Sequence, residues 1–235
     1  MLEDKLKTEF GKIFEPILHV DELPKDVYCW IKLKDATKTI SKRTYGCPCK
    51  YREAWKMLID MHIDSGKIRL SNSAFASPSF IILKTDPKAL PRWVNDYREL
   101  NSNVVIDSHP LPRVDDILAD CAKGRIWATI DMTDSFFQIQ VHPDDIHMMA
   151  VTTPFGLNKW MVMPMGYRNS PAIHQRHVTA ALRKYLGKIC HIYLDDIIIW
   201  SQDEVEHEWN VRLIFQALID VKLYCNRKKT KLFCF

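Results

Sequence analysis

Apolar positions along this chain fall into two rhythms. From Tyr51 to Ile63 they recur every three to four residues, with Trp55, Leu58, Ile59 and Ile63 on one side, and the spacing predicts a helix that Gly66 ends. Ser79-Phe80-Ile81-Ile82-Leu83 and Arg92 to Tyr97 are rich in β-formers and flank an Asp86-Pro87 turn signal. They predict a two-stranded ribbon bearing Lys84, Lys88 and Arg92. Pro112 opens a short helix with Val114, Ile117, Leu118 and Cys121 on one side, and a strand from Ile126 to Asp131 follows Gly124. Pro171 starts another helix, faced by Val178, Leu182 and Leu186 and stopped by Gly187. Ser201 or Asp203 caps a last helix whose face runs through Val205, Trp209, Leu213 and Val221. Residues 1–45 carry scattered charges, are broken at Pro16 and Pro24, and read as an N-terminal arm or linker. The alternation of strands and helices predicts an α+β fold with helices packed on one face of a sheet.

Composition narrows this picture a little. A chain of 235 residues, 47% hydrophobic and 26% charged, supports a substantial core. A net charge of +4 permits a polyanionic partner without demanding one. Seven cysteines without a CxxC pair predict free thiols in a reducing compartment rather than a zinc knuckle. No apolar stretch approaches the roughly 20 residues needed to cross a bilayer, and Met1 to Phe14 is charged throughout. The expectation is an intracellular protein with no membrane partner.

The chemistry is concentrated in Ile192-Tyr193-Leu194-Asp195-Asp196-Ile197-Ile198-Ile199-Trp200. Carboxylates among β-formers are costly to desolvate, and two adjacent ones repel. A divalent metal at a tight turn between two strands accounts for them best. Asp131 ends a similar strand, and three carboxylates at strand ends are what a two-metal phosphoryl-transfer site requires.

With those three aspartates in place, the sequence resembles the reverse transcriptases of Ty3/gypsy-type LTR retrotransposons. Tyr193-Leu194-Asp195-Asp196 matches the signature of the catalytic hairpin. Phe75-Ala76-Ser77-Pro78, Asp96-Tyr97-Arg98-Glu99-Leu100-Asn101 and Pro110-Leu111-Pro112-Arg113 precede it in family order. So do Asp131 with Phe136 and Gln138, Met163-Pro164-Met165-Gly166, and Asn169-Ser170-Pro171-Ala172 with Gln175, and Leu223 to Lys229 resembles the closing palm motif.

The resemblance implies a right-hand polymerase fold: fingers and palm, an antiparallel palm sheet with helices on one face, and no thumb before the chain stops at Phe235. It implies a fingers-rich region over 46–125 and a palm-rich region over 126–235, with a returning fingers segment near 140–170. Asp131, Asp195 and Asp196 are then the metal ligands for two Mg²⁺ ions, with Mn²⁺ as an alternative, and Lys229 a general acid toward pyrophosphate. Lys84 and Arg92 meet the β- and γ-phosphates of a dNTP, Phe136 excludes a 2′-hydroxyl, and Tyr193, Met165 and Gly166 contact the nucleotide or template. The chain departs from the family in having Pro91 before Arg92 where Trp is usual, Ala89-Leu90 inserted at the ribbon tip, Ser135-Phe136 for Gly-Tyr, Met165 for Phe or Gln, and Arg227 for Pro. The implied partners are an RNA or DNA template-primer, dNTPs, and the protease, RNase H and integrase domains of a retrotransposon polyprotein. The implied location is the cytoplasm, within retrotransposon particles. His142, His147, His174, His177 and His191 lack ligand spacing and read as structural or solvated. A second class of function is a catalytically silent nucleic-acid-binding remnant of such an enzyme: without a thumb, many phosphate contacts that supply affinity are lost.

Overall fold

The computed structural model describes residues 2–86 and 89–235; Pro87 of the expected turn and Lys88 of the expected ribbon lie outside them. The chain divides into two units, each assembled from separated segments.

One unit comprises Met1–Ile17, Ser108–Gln138 and Pro171–Phe235. Its helices are α1 (Leu2–Glu9), α4 (Val114–Cys121), α5 (Ser170–Leu182) and α6 (Glu204–Asp220). Its strands are β5 (Ile126–Asp131), β9 (Cys190–Tyr193), β10 (Asp196–Ser201) and β11 (Lys231–Cys234), in the antiparallel order β11-β5-β10-β9. Strict alternation sets its two faces. Ala128, Ile130, Cys190, Ile192, Ile197 and Ile199 turn inward onto Val178, Leu182, Val211, Ile214, Phe215 and Leu218 of α5 and α6. The intervening positions, Thr129, Asp131, His191, Tyr193 and Asp196, stay on the more open face.

The expected arm is corrected over its first part. Leu6 and Ile13 are fully buried in this core. Lys7 pairs with Glu3 at 2.7 Å and donates to the carbonyls of Thr230, at 2.5 Å, and Arg227, at 3.2 Å. These partners lie at the far end of the sequence, so no local pattern reveals them. The expected helix faces also shift. In α6, Asp203 is the N-cap, accepting from the Glu206 N–H at 2.9 Å, but Val205 and Trp209 are exposed. His207 and Asn210 are buried instead, both bonded to the Ser201 hydroxyl, and His207 also to the Leu232 carbonyl. In α4 only Ile117 is buried, while Val114 and Leu118 face solvent. Leu186 lies beyond the end of α5.

The other unit comprises Leu18–Asp107 and Ile139–Ser170. It holds α2 (Arg52–Asp64), α3 (Arg98–Asn103), the parallel pair β1 (Tyr28–Cys29) and β6 (Gln140–Val141), and a five-stranded sheet. The sheet runs β2-β8-β7-β3-β4 through β2 (Ile68–Leu70), β8 (Gly156–Trp160), β7 (Ala150–Thr153), β3 (Ser77–Ile82) and β4 (Arg92–Asn95). The ribbon read from the sequence is β3 against β4, with Ile82 opposite Arg92. The helix read over Tyr51 to Ile63 is α2, but Ile63 is exposed and His62 takes its place inside. Its ring packs edge-on against Trp93 and Trp160, with centroids 5.8 and 5.2 Å away, in a cluster that Trp55 completes. The seven cysteines carry free thiols. Among the described residues no helix is long and apolar enough to cross a membrane.

Candidate active site

Antiparallel register brings the aspartates together. Asp131, the last residue of β5, is opposite Asp196, the first of β10, and Asp196 is opposite Tyr193. Cross-strand partners point to the same face, so Tyr193, Asp196 and Asp131 form one row across three strands. Leu194 and Asp195 are the two loop residues between β9 and β10. Leu194 has φ +54°, and Asp195 is not in the left-handed region. This is the pattern of a type II′ hairpin, whose first loop position is normally glycine. A leucine there costs roughly 1–2 kcal/mol of backbone strain.

Each carboxylate has a distinct environment. Asp131 Oδ2 accepts from Lys229 Nζ at 3.2 Å. Lys229 is held by a turn in which the Asn226 side chain accepts from the Lys228 and Lys229 N–H groups, at 3.0 and 3.2 Å. The Asn226 N–H in turn donates to the Asp131 carbonyl at 2.8 Å. Asp195 Oδ1 accepts from the buried Ser135 hydroxyl at 2.7 Å. Partial burial, then repulsion from Asp131 and Asp195, raises the pKa of Asp196 above the ordinary carboxylate value, with Lys229 opposing. Three carboxylates with one ammonium leave a local excess of negative charge on hard oxygen donors.

That donor set fits a divalent cation such as Mg²⁺. Among the described residues no group of three or more His, Cys, Asp or Glu side chains is arranged to hold an ion by itself. Mg²⁺ is commonly held by one or two carboxylates, with water and substrate phosphates completing its shell. The carboxylate row offers that kind of partial shell.

Phe136 lies in a 3₁₀ turn, Ser135–Gln138, directly after the Asp131 strand. Gln138 fixes the turn by donating to the Thr133 carbonyl, at 2.5 Å, and the Tyr224 carbonyl, at 2.8 Å, and accepting from the Tyr224 N–H. Phe136 packs edge-on against His174, with centroids 5.8 Å apart. His174 is fully buried, and among the described residues neither ring nitrogen has a hydrogen-bond partner. Burial lowers its pKa to about 4.

The remaining sequence candidates belong to the other unit. Arg92 opens β4, Lys84 follows β3, and both are exposed. Met165 is 43% exposed, so it is not a core methionine. Gly166 has φ +97°, and a Cβ there would lie 2.5 Å from the Asn95 carbonyl oxygen, so only glycine fits. Asn95 and Asn101 side chains donate to the Met165 and Gly166 carbonyls at 3.2 and 2.8 Å. Asp131, Phe136, Tyr193, Asp195, Asp196 and Lys229 thus share one unit, and Lys84, Arg92, Met165 and Gly166 the other. Sequence reading gave no role to Ser135, Asn226 or Gln175. Ser135 was visible only as a departure from the usual glycine.

A mixed α+β fold with an antiparallel carboxylate hairpin is the palm-and-fingers architecture of a template-directed polymerase. The family model described as reverse transcriptase (RNA-dependent DNA polymerase) matches residues 82–234, and the chain belongs to that family. It is 33% identical over 230 residues to the retrovirus-related Pol polyprotein from transposon opus of Drosophila melanogaster, covering 97% of this chain and 23% of that one. The corresponding polyprotein from transposon gypsy is 33% identical over 175 residues, 73% of this chain and 17% of that one. The fold superposes with a TM-score of 0.83 on the foamy viral protease-reverse transcriptase solved in complex with an RNA/DNA hybrid. That match has 22% identity and covers 97% of this chain and 30% of the other. The retrotransposon-type reverse transcriptase resemblance in the sequence is therefore borne out. The chain spans less than a quarter of the two transposon polyproteins.

Proposed function

We propose that this chain is the fingers-and-palm module of an RNA- and DNA-directed DNA polymerase, joining a dNTP to a primer 3′-hydroxyl. The observation that carries this reading is the register that sets Asp131 opposite Asp196 beside the Leu194–Asp195 turn. In the reaction the primer 3′-oxygen bonds to the α-phosphorus, the α–β bond breaks, and pyrophosphate leaves. Asp131, Asp195 and Asp196 would hold two Mg²⁺ ions, whose charge lowers the pKa of the 3′-hydroxyl and offsets that of the leaving group.

Lys229, already on Asp131, has the charge and proton to assist pyrophosphate departure. Arg92 supplies a planar bidentate donor for phosphate, with Lys84 as a point charge. Phe136, packed edge-on against His174, would be the ring that excludes a ribose 2′-hydroxyl. Tyr193 and the Met165-Gly166 turn bear on the nucleotide and template. The foamy viral relative was solved on an RNA/DNA hybrid, which supports a template-primer as partner. We place the module with the other domains of a retrotransposon polyprotein, acting in the cytoplasm.

The test is Mg²⁺-dependent extension of a primer on RNA and DNA templates, with dNTPs and rNTPs in parallel. Incorporation of dNTPs on both templates, with a dNTP preference that falls in Phe136→Ala, is the expected result. A folded protein that binds template-primer and never extends it overturns the polymerase reading in favour of a silent nucleic-acid-binding remnant.

A further inference from the structure

The Leu194–Asp195 turn is strained and sits at the end of an edge strand, yet its backbone is held. β9 is the last strand of its sheet, so among the described residues its outer edge lacks a neighbouring strand beyond the Leu186–Cys190 bridge. Gln175 of α5 fills that place. Its Oε1 accepts from the Leu194 N–H at 3.0 Å, and its Nε2 donates to the Ile192 carbonyl at 3.1 Å. One side-chain amide thus satisfies a donor and an acceptor two residues apart, as a pairing strand would. Gln175 is only 3% exposed, and Nε2 also reaches the Thr179 hydroxyl at 3.4 Å. A buried bond of this kind is lost without replacement when the amide is removed. The N–H it holds belongs to the residue at φ +54°, immediately before Asp195.

We infer that Gln175 is a positioning residue: it locks Leu194 in the left-handed region and thereby aims the Asp195 and Asp196 carboxylates. The inference rests on the reading of those carboxylates as the catalytic pair. Gln175 touches neither carboxylate and acts through the backbone. Leucine needs this lock because it resists positive φ; glycine would not.

The experiment compares the parent chain with Gln175→Leu, Leu194→Gly and the double variant. Hydrogen exchange at the Leu194 amide is read in ¹⁵N-leucine-labelled parent and Gln175→Leu proteins, along with melting temperature, template-primer affinity and kcat. In Gln175→Leu the Leu194 amide exchanges at least tenfold faster. Its kcat falls roughly 10–100-fold, the usual cost of a catalytic group misplaced by about an ångström, and template-primer affinity is unchanged. Adding Leu194→Gly restores most of kcat. Unchanged Leu194 exchange in a folded Gln175→Leu protein overturns the lock, whatever the activity. A loss of kcat that tracks melting temperature and is not recovered by glycine overturns the positioning role and leaves Gln175 as packing. If the parent itself never extends a primer, the polymerase reading fails, while the exchange data still decide whether the lock exists.

Discussion

The two units treat the charged side chains of the candidate site in opposite ways. In the four-stranded unit Asp131 is bonded by Lys229 and Asp195 by Ser135, while partial burial and then the repulsion of those two carboxylates raise the pKa of Asp196. In the five-stranded unit Lys84 and Arg92 stand exposed at the ends of a two-stranded ribbon. The backbone fixes the carboxylates through register and a buried amide. The ribbon cations have only the strand ends to place them, so a ligand must do the rest. Substitutions in the first unit should therefore disturb fold and chemistry together, and those on the ribbon chemistry alone.

The largest effect tests the row itself. Asp131→Asn keeps the shape but removes charge opposite Asp196 and beside Lys229. Primer extension should fall by roughly 10³-fold, the scale of several kcal/mol of lost charge stabilisation. A loss under tenfold in steady-state kcat/KM would break the contrast between the units.

The next effect is on stability. His174 is buried with its folded pKa lowered to about 4 from an ordinary 6.5. The unfolded chain therefore binds the proton more readily. Stability is full above pH 6.5 and is lost as pH falls toward 4, by about 3 kcal/mol at the limit. His174→Phe should remove that slope, so urea unfolding of the variant should fall off less between pH 7 and pH 4. Parallel slopes in parent and variant would show that this histidine is not buried as described.

Arg92→Ala sharpens the contrast from the other side. It should raise the KM for dNTP roughly tenfold, as loss of a charge-assisted phosphate contact does. The melting temperature should stay put, because an exposed side chain away from caps and core contributes little to stability. A fall in melting temperature of several degrees would show that the ribbon cation is structural.

Ser135→Ala is the smallest. It removes one donor from Asp195 and should raise the Mg²⁺ concentration for half-maximal extension by about tenfold, in line with outer-shell losses at metal sites. An unchanged Mg²⁺ requirement would show that the hydroxyl does not orient Asp195.

Much of this site was legible in the sequence because it is local. The alternation Ile126 to Asp131 and the Tyr193-Leu194-Asp195-Asp196 turn carry both strands and side-chain direction. The α6 cap at Asp203 was equally local. Its buried face was not: His207 and Asn210 look polar, and only Ser201 and the Leu232 carbonyl make them interior. Residues 1–17 were missed for the same reason, since Lys7 and Ile13 meet Thr230 and Cys225 across the whole chain. The strands β7 and β8 mix polar and apolar positions and gave no clear period. Gln175 was visible only as a member of a motif and Ser135 only as a departure from glycine, because the buried hydrogen bonds that give them roles leave no mark on sequence pattern.

The central claim is that the carboxylate row performs nucleotide transfer. Its most direct test is primer extension on an RNA template with dNTPs and Mg²⁺ at low salt, comparing the parent chain with Asp195→Asn, with template-primer affinity measured for both. The account predicts equal binding and extension by the parent alone. Equal extension by both proteins, or none by a folded parent that binds template-primer, would contradict it.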